Sequence, residues 1–250
     1  MKQHRFFLSV VILLVGAGLF WFFGQESEPE RIQSNEELAM LEQQALAPEP
    51  EPEPAAQSQD YSLEFDVTWS VETHPETLPA GPHVSPFVAV VHKTPGSVIQ
   101  RGTRATSGLE LIAETGATGT FAAELDMLIA AGEVLEYSVG QRIDAPGTDS
   151  VDLRATQEFP YLTVVSMIAP SPDWLVASVD FPLFNGQQWA IDNELGPQYL
   201  DAGTDDGTTF TAANRDNPVG VVGAQINDSF IAATTEAGLG LFRLSSLSDN

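Results

Sequence analysis

The chain has 250 residues, and its 35 acidic and 10 basic side chains give a formal net charge of −25. Such a surface repels nucleic acid and anionic lipid head groups, so neither is expected as a partner. The sequence contains no cysteine, which excludes disulfides, thiolate metal sites and a cysteine nucleophile. The length and the 43% hydrophobic content allow one sizeable globular domain plus additional segments.

The N-terminus carries two basic residues, Lys2 and Arg5, ahead of an apolar run over residues 6–23. The length of this run is near the lower limit for crossing a bilayer, and its aromatic end does not match a signal-peptidase site. We therefore expect residues 1–5 to be a cytoplasmic basic end and residues 6–23 a transmembrane signal anchor, with the rest outside the cytoplasm. The alternative is cleavage of this segment, which would release a secreted protein.

Residues 24–60 form an acidic segment that includes the alternating Pro-Glu run of residues 48–54. The Pro-Glu run cannot pack a hydrophobic core, because it consists of proline and like-charged glutamate. Proline favours the polyproline II conformation and like charges extend the chain, so the segment is predicted to be a semi-rigid linker.

Residues 61–250 are predicted to be a folded domain that begins with a strand. Apolar and polar residues alternate strictly over residues 61–72, which is typical of a strand with one buried face. A short apolar strand is predicted over residues 87–92. Two helices follow, one opened by a capping box at Ser107 and closed by Gly116, the other over residues 120–131.

The remaining elements of the domain are predicted to be short strands separated by turns. Residues 135–139 and 151–153 flank a turn-rich segment and indicate a hairpin. Further strands are predicted over residues 161–168, 175–181, 219–226 and 239–244. Together these elements favour a mainly β fold, an antiparallel β-sandwich with two short helices.

No motif of a known enzyme class stands out. The sequence contains no G-x-S-x-G, no H-E-x-x-H and no glycine-rich phosphate loop. Three of the four histidines, His74, His83 and His92, lie around one strand and the loop before it. We expect structural roles for them rather than metal binding or catalysis.

The acidic residues are more informative than the histidines. Asp173 follows a Pro-Ser-Pro break between two apolar strands, and the segment of residues 199–210 contributes Asp201, Asp205 and Asp206. Calcium takes six to eight oxygen ligands at flexible geometry, and loops at one end of a sandwich can supply them. The alternative is that the second segment is only a solvated turn.

The segments SMIAPSPDW (166–174) and DAGTDDGTTF (201–210) together resemble the spondin N-terminal domain family. Its signature is a Pro-Asp-Trp break followed by an Asp-Ala-Gly-Thr-Asp-x-Gly loop. Looser similarities lie in the first strand, around residues 83–92, and in SGLELIAETG (107–116). The resemblance covers most of residues 61–217. A cysteine-free domain on a linker is similar to a bacterial member rather than an animal one.

The resemblance implies an eight-stranded sandwich, similar to calcium-dependent membrane-binding domains, with Ca²⁺ between loops at one end. It implies Asp173 and Asp201 as ligands, with Asp205 in or near the coordination shell. The family adds a glutamate from the strand before the break, but the ungapped position here is Arg154, which cannot bind calcium. Asp152, on the same face of that strand, is the substitute if the hairpin differs by two residues.

The predicted function is that of an extracytoplasmic, membrane-tethered calcium-binding module for adhesion or ligand binding, and not an enzyme. The expected partners are the membrane, through the N-terminal helix, and a cell-surface protein or glycan. One alternative is a structural surface protein without metal. Another is a metal-dependent hydrolase, which would need a general base beside the metal.

Overall fold

The computed structural model describes residues 57–223 and 238–247. The chain divides into two units, Met1–Pro52 and Glu53–Asn250, and all described residues belong to the second. The predicted cytoplasmic end, the predicted anchor over residues 6–23 and the linker up to residue 56 therefore lie outside the described residues. In the part of the chain that is described, no helix is long and apolar enough to cross a membrane.

Eleven strands and two helices are present in the described residues. The helices are α1 (Ser107–Thr115) and α2 (Gly119–Ala130). The strands are β1 (Ser58–Val67), β2 (His83–Val84), β3 (Val88–His92), β4 (Val134–Val139), β5 (Ile143–Asp144), β6 (Gly147–Thr156), β7 (Tyr161–Ala169), β8 (Trp174–Pro182), β9 (Asn193–Leu195), β10 (Gln198–Asp201) and β11 (Gly240–Leu247).

The strands form two antiparallel sheets. One has four strands in the order β6-β1-β11-β9. The other has seven: β10-β8-β7-β2-β5 follow in order, β3 pairs with β7, and β4 pairs with β3. The predicted mainly β sandwich with two helices is confirmed, with additional very short strands.

The main hydrophobic core lies between the sheets. Every second residue of β1 from Tyr61 to Val67 is buried, which confirms the first part of the predicted alternation. The predicted strand over residues 61–72 is too long, because β1 ends at Val67 and Val71 is exposed. The Phe65 ring lies 4.2 Å from that of Phe242 on β11, and Leu162 of β7 belongs to the same cluster.

A second apolar layer covers the outer face of the seven-stranded sheet. Leu109 and Ile112 of α1 and Phe121 of α2 pack in one cluster with Val165 of β7 and Leu175 of β8. Strand β7 is therefore buried on both faces, which explains why its sequence shows no alternation.

Helix α1 begins one residue earlier than the predicted capping box. The hydroxyl of Thr106, not Ser107, accepts the backbone N–H of Leu109. Gly116 ends the helix in the left-handed conformation at φ 72°, as predicted.

Two further sequence predictions about strands are wrong. Residues 135–139 and 151–153 do not form a hairpin, since β4 pairs with β3 and β6 pairs with β1 in the other sheet. Each strand satisfies its backbone through a distant partner, which local sequence does not reveal. The predicted strand over 219–226 is absent in its described part, residues 219–223, and its remainder lies outside the described residues.

The course of β1 defines the two ends of the sandwich. The strand starts at Ser58, opposite Thr156, and its ten residues span about 33 Å. Just beyond its end, the Trp69 ring lies 5.6 Å from Phe210, which lies 5.2 Å from Trp174. The C-terminal end of β1 and the break before β8 therefore share one end, which we call the acidic tip.

Candidate metal-binding loops

The acidic tip begins where β7 turns into β8. Pro170 and Pro172, which have no N–H to donate, fall between the strands, so both ladders end there. The Ser171 hydroxyl accepts the backbone N–H of Trp174 at 3.1 Å, and the Trp174 side chain is buried. This corner fixes the backbone of Asp173.

The Asp173 side chain is completely buried, and only one of its two oxygens accepts hydrogen bonds. Its Oδ2 accepts the backbone N–H groups of Thr204 at 2.7 Å and Asp205 at 3.1 Å. Its Oδ1 is buried and has no hydrogen-bond partner among the described residues. An unpaired buried oxygen of this kind costs about 1–3 kcal/mol, which makes Asp173 Oδ1 the candidate position for a cation.

The loop after β10 surrounds Asp173 with further carboxylates. Asp201 pairs with Trp174 in the ladder, and its Oδ1 accepts the N–H of Gly203 at 2.7 Å. Both oxygens of Asp205 accept backbone N–H groups, from Gly207 and from Arg215. Asp205 therefore joins two segments of the loop in addition to lying beside Asp173.

The electrostatics of the tip are unfavourable in the absence of a cation. Burial, together with the neighbouring Asp201 and then Asp205 carboxylates, raises the pKa of Asp173 to about 6. Burial is also the main cause of the raised pKa of Asp201, to which Asp205 and Asp206 contribute, whereas the Gly203 N–H and the neighbouring Asp173 carboxyl group partly offset it. A bound cation would relieve both effects.

The structure brings three of the four predicted ligands together and leaves the fourth apart. Asp173, Asp201 and Asp205 meet at the tip, whereas Asp152 lies on the other sheet, opposite Ser62. Its neighbour Leu153 points into the core, so Asp152 is exposed on the outer face. Arg154 is likewise exposed and lies 3.7 Å from Asp60.

Glu114, at the end of α1, is a tip residue that the sequence analysis missed. Its carboxylate lies near Thr204, and Glu110, Asp205 and Asp216 are its charged neighbours. Burial raises its pKa. Its position in the helix could have indicated a functional role. An acidic residue in the last turn interacts unfavourably with the helix dipole, and no basic residue in that turn compensates it.

The side chains at the tip could bind a cation through two carboxylates, but they do not surround it with a complete set of protein ligands. Within residues 57–223 and 238–247, no three His, Asp or Glu side chains form a group that could hold a metal by themselves. Asp173 Oδ1 and the Asp201 carboxylate are the groups suited to an ion, and calcium readily completes its shell with backbone carbonyls and water.

The three histidines among the described residues contact neighbouring side chains or backbone carbonyl groups. His92 is fully buried, with Nε2 2.9 Å from the Thr163 hydroxyl and Nδ1 3.1 Å from the Thr94 carbonyl. His74 is buried edge-on to Trp69, and the ring of His83 contacts the Gly81 carbonyl.

An open groove lies beside the acidic loop. It has a volume of about 360 Å³ and lies between residues 76–80 and residues 209–211. Phe210 forms part of its wall and packs against both Trp69 and Trp174. The groove wall is therefore continuous in sequence with the loop that carries Asp201 and Asp205.

Comparisons with known proteins agree with the motifs at the tip. The family model Spondin_N matches residues 59–231. Human Spondin-2 is 30% identical over 163 residues, which cover 62% of this chain and 48% of the relative. Chicken Spondin-1 is 25% identical over 164 residues, which cover 62% of this chain and 20% of the relative. The chain thus spans about half the length of Spondin-2 and a fifth of Spondin-1, and it belongs to the Spondin_N family.

Proposed function

We propose that this protein is an extracytoplasmic ligand-binding or adhesion module whose acidic tip is organised by a calcium ion. The observation that carries the proposal is the completely buried Asp173 carboxylate, with one oxygen unpaired, beside Asp201. A fold maintains such an arrangement at a cost to stability, which a bound cation would offset.

Asp173 and Asp201 would hold the ion, and Asp205 would hold the loop in or near its coordination shell. Calcium is favoured over magnesium because the available donors are carboxylates and backbone carbonyls of loops, not a rigid octahedral cage. The ion would supply positive charge, which removes the repulsion between the carboxylates and holds the two loops together. Asp152 would contribute only if a different register of β6 against β1 brought it to the tip.

Family membership supports an extracytoplasmic setting and a binding role. Tethering through residues 6–23 remains part of the proposal. The tip is suited to contact a partner, since the chain enters β1 about 33 Å away, at the opposite end of the strand. The groove beside Phe210 is the surface that we propose for a cell-surface protein or glycan.

Calcium titration with thermal unfolding tests the metal site. Wild-type protein, stripped with a chelator, should gain several degrees in melting temperature at millimolar calcium, because only the folded state presents the site. Asp173→Asn should abolish this gain. Asp152→Asn, which removes the same charge from an exposed position, should keep it.

The absence of a calcium effect in the wild type would favour a structural surface protein without metal. Calcium-dependent turnover in a broad substrate screen would favour the hydrolase.

Binding of the domain to a glycan array and to intact cells, with and without calcium, tests the adhesion role. Retention of the full-length chain in membranes after alkaline extraction tests the proposed anchor.

A further inference from the structure

We propose that Asp206 is a positioning residue that fastens the segment of residues 215–217, which we call the strap, against the acidic loop of residues 201–207 and so sets the calcium affinity of the tip. This inference rests on the proposed calcium site. It gives Asp206 no contact with the ion, because its half-exposed side chain has one oxygen bonded to Asn217 and the other beside Arg215.

The Asp206 side chain holds the strap through Asn217. Its Oδ1 accepts the Nδ2 amide group of Asn217 at 2.8 Å. The Asn217 Oδ1 accepts the N–H of Val219 at 3.2 Å, so the two ends of the amide have separate partners and Nδ2 is the end that faces Asp206. The Arg215 guanidinium lies 3.6 Å from Asp206 Oδ2 with both side chains exposed, and such an ion pair contributes little. The hydrogen bond to Asn217 is therefore the main side-chain contact.

The strap in turn holds the residues that bind Asp173. The N–H of Asn217 donates to the Thr204 carbonyl at 2.7 Å. The N–H of Arg215 donates to Asp205 Oδ2, also at 2.7 Å. The Asp205 N–H, which belongs to the same peptide group as the Thr204 carbonyl, donates to Asp173 Oδ2 at 3.1 Å. This peptide group is thus bonded to the strap on one side and to Asp173 on the other, so the strap fixes the position of the donor.

Loss of the Asp206 side chain should leave the strap attached to the loop by its backbone hydrogen bonds. The N–H of Asp206 would still donate to the Arg215 carbonyl, but Asn217 would lose its side-chain contact with the loop. The donors to Asp173 Oδ2 would then be less firmly fixed, and so would the unpaired Oδ1 that faces a cation. Residues that orient metal ligands through hydrogen bonds change metal affinity about 10–100-fold when replaced. We expect the lower end of this range, because Asp206 acts through the strap.

Isothermal calcium titration of the protein and its variants tests the inference. Asp206→Ala and Asn217→Ala should each weaken calcium binding about tenfold. The double variant should bind no more weakly than the weaker single variant, because both changes remove the same hydrogen bond. Asp206→Asn should stay within about threefold of the wild type, because its amide oxygen still accepts the Asn217 amide. Asp216→Ala, which removes the same charge from an exposed position of the strap, is the matched control and should stay within about twofold.

Three outcomes would overturn the inference while leaving the calcium site intact. The first is unchanged affinity in Asp206→Ala, and the second is fully additive losses in the double variant. The third is a loss in Asp206→Asn or in Asp216→Ala as large as that in Asp206→Ala, which would show that Asp206 acts through its charge alone.

Hydrogen exchange in chelator tests the strap without calcium. The amides of Arg215 and Asn217 should exchange about tenfold faster in Asp206→Ala than in the wild type, and at the wild-type rate in Asp216→Ala. Unchanged exchange at these two amides would refute the role of Asp206 even if calcium binds. If the wild type binds no calcium, the proposed function fails, and the claim about affinity fails with it whatever the exchange rates are.

Discussion

Strand β7 leads to a buried polar centre at each of its ends, and the two centres differ in how completely they are satisfied. Near its start, both ring nitrogens of His92 have partners, and Asp180 Oδ1 lies 3.6 Å from Nε2. Beyond its end, Asp173 keeps a buried oxygen unpaired beside Asp201. A satisfied buried network stabilises a fold, whereas an unsatisfied one reduces stability and is a candidate position for a ligand.

The His92 centre joins three segments of chain: residues 92–96, Thr163 and Asp180. The Thr163 hydroxyl contacts His92 and accepts the N–H of Asp180, whose carboxylate accepts the N–H of Gly96 through both oxygens. Because the Thr94 carbonyl can only accept, neutral His92 carries its hydrogen on Nδ1, and Nε2 accepts from Thr163. Burial lowers the pKa of His92.

Replacing His92 should have the largest effect on stability. His92→Ala leaves a cavity and unpaired partners, so we expect a loss of about 3 kcal/mol in the free energy of unfolding. The calcium response should persist. Urea denaturation measures the loss, with His83→Ala as the control, because His83 is only partly buried. A loss below about 1 kcal/mol would show that the His92 network is not structural.

Replacing Asp173 should change the free energy of unfolding in the opposite direction and make the protein more stable. In calcium-free buffer, Asp173→Asn should stabilise the protein by about 2 kcal/mol, because the raised pKa of about 6 means that the buried charge opposes folding at neutral pH. The amide oxygen still accepts the N–H groups of Thr204 and Asp205. Urea denaturation in chelator measures the gain, while Asp152→Asn should change stability by less than about 0.5 kcal/mol. Destabilisation by Asp173→Asn would contradict our description of the tip.

A pair of glycines extends the comparison to the backbone. Gly203, at the tip, has φ 73°, and an added Cβ would overlap the backbone of Val221. Gly186, in the turn region beyond β8, has φ 93° but open space around it. Gly203→Ala should cost about 2 kcal/mol and weaken calcium binding, whereas Gly186→Ala should cost about 1 kcal/mol. Thermal unfolding of both variants with and without calcium checks this, and equal effects would show that the close contact at Gly203 is unimportant.

The pH dependence should show the smallest effect. The folded-state pKa of Asp173 is raised, so its contribution to stability is present at low pH and is lost as the pH rises through about 6. Between pH 7.5 and 5.5, calcium-free wild type should therefore gain about 1 kcal/mol relative to Asp173→Asn. His92 has a lowered pKa, and its contribution is lost as the pH falls below the unfolded value, about 6.5. Denaturation curves at several pH values test this, and parallel pH profiles for the two proteins would contradict it.

Much of the fold followed from local patterns. The alternation of β1, the apolar length of β7 and the glycine that ends α1 each reflect a rule that acts within a few residues. The pairing of β4 with β3 and of β6 with β1 did not follow, because turn composition suggested a local hairpin and the backbone found distant partners.

The candidate site, like the fold, could be predicted from the sequence only in part. The Pro-Asp-Trp break and the acidic loop, both short motifs, predicted that Asp173, Asp201 and Asp205 would meet. The placement of Asp152 and Glu114 depended on which sheet received β6 and on where α1 packed, and neither is encoded near those residues.

By itself, the sequence determined the strand pattern, the corner before Trp174 and the types of residue available for a cation, since these depend on backbone restriction and side-chain chemistry. Only the tertiary structure decided that Asp173 is buried with one oxygen unpaired, and that Glu114 rather than Asp152 lies near the Asp205 loop. The physical reason is that burial and electrostatic repulsion arise from segments far apart in the chain, which meet only when the sheets and helices pack.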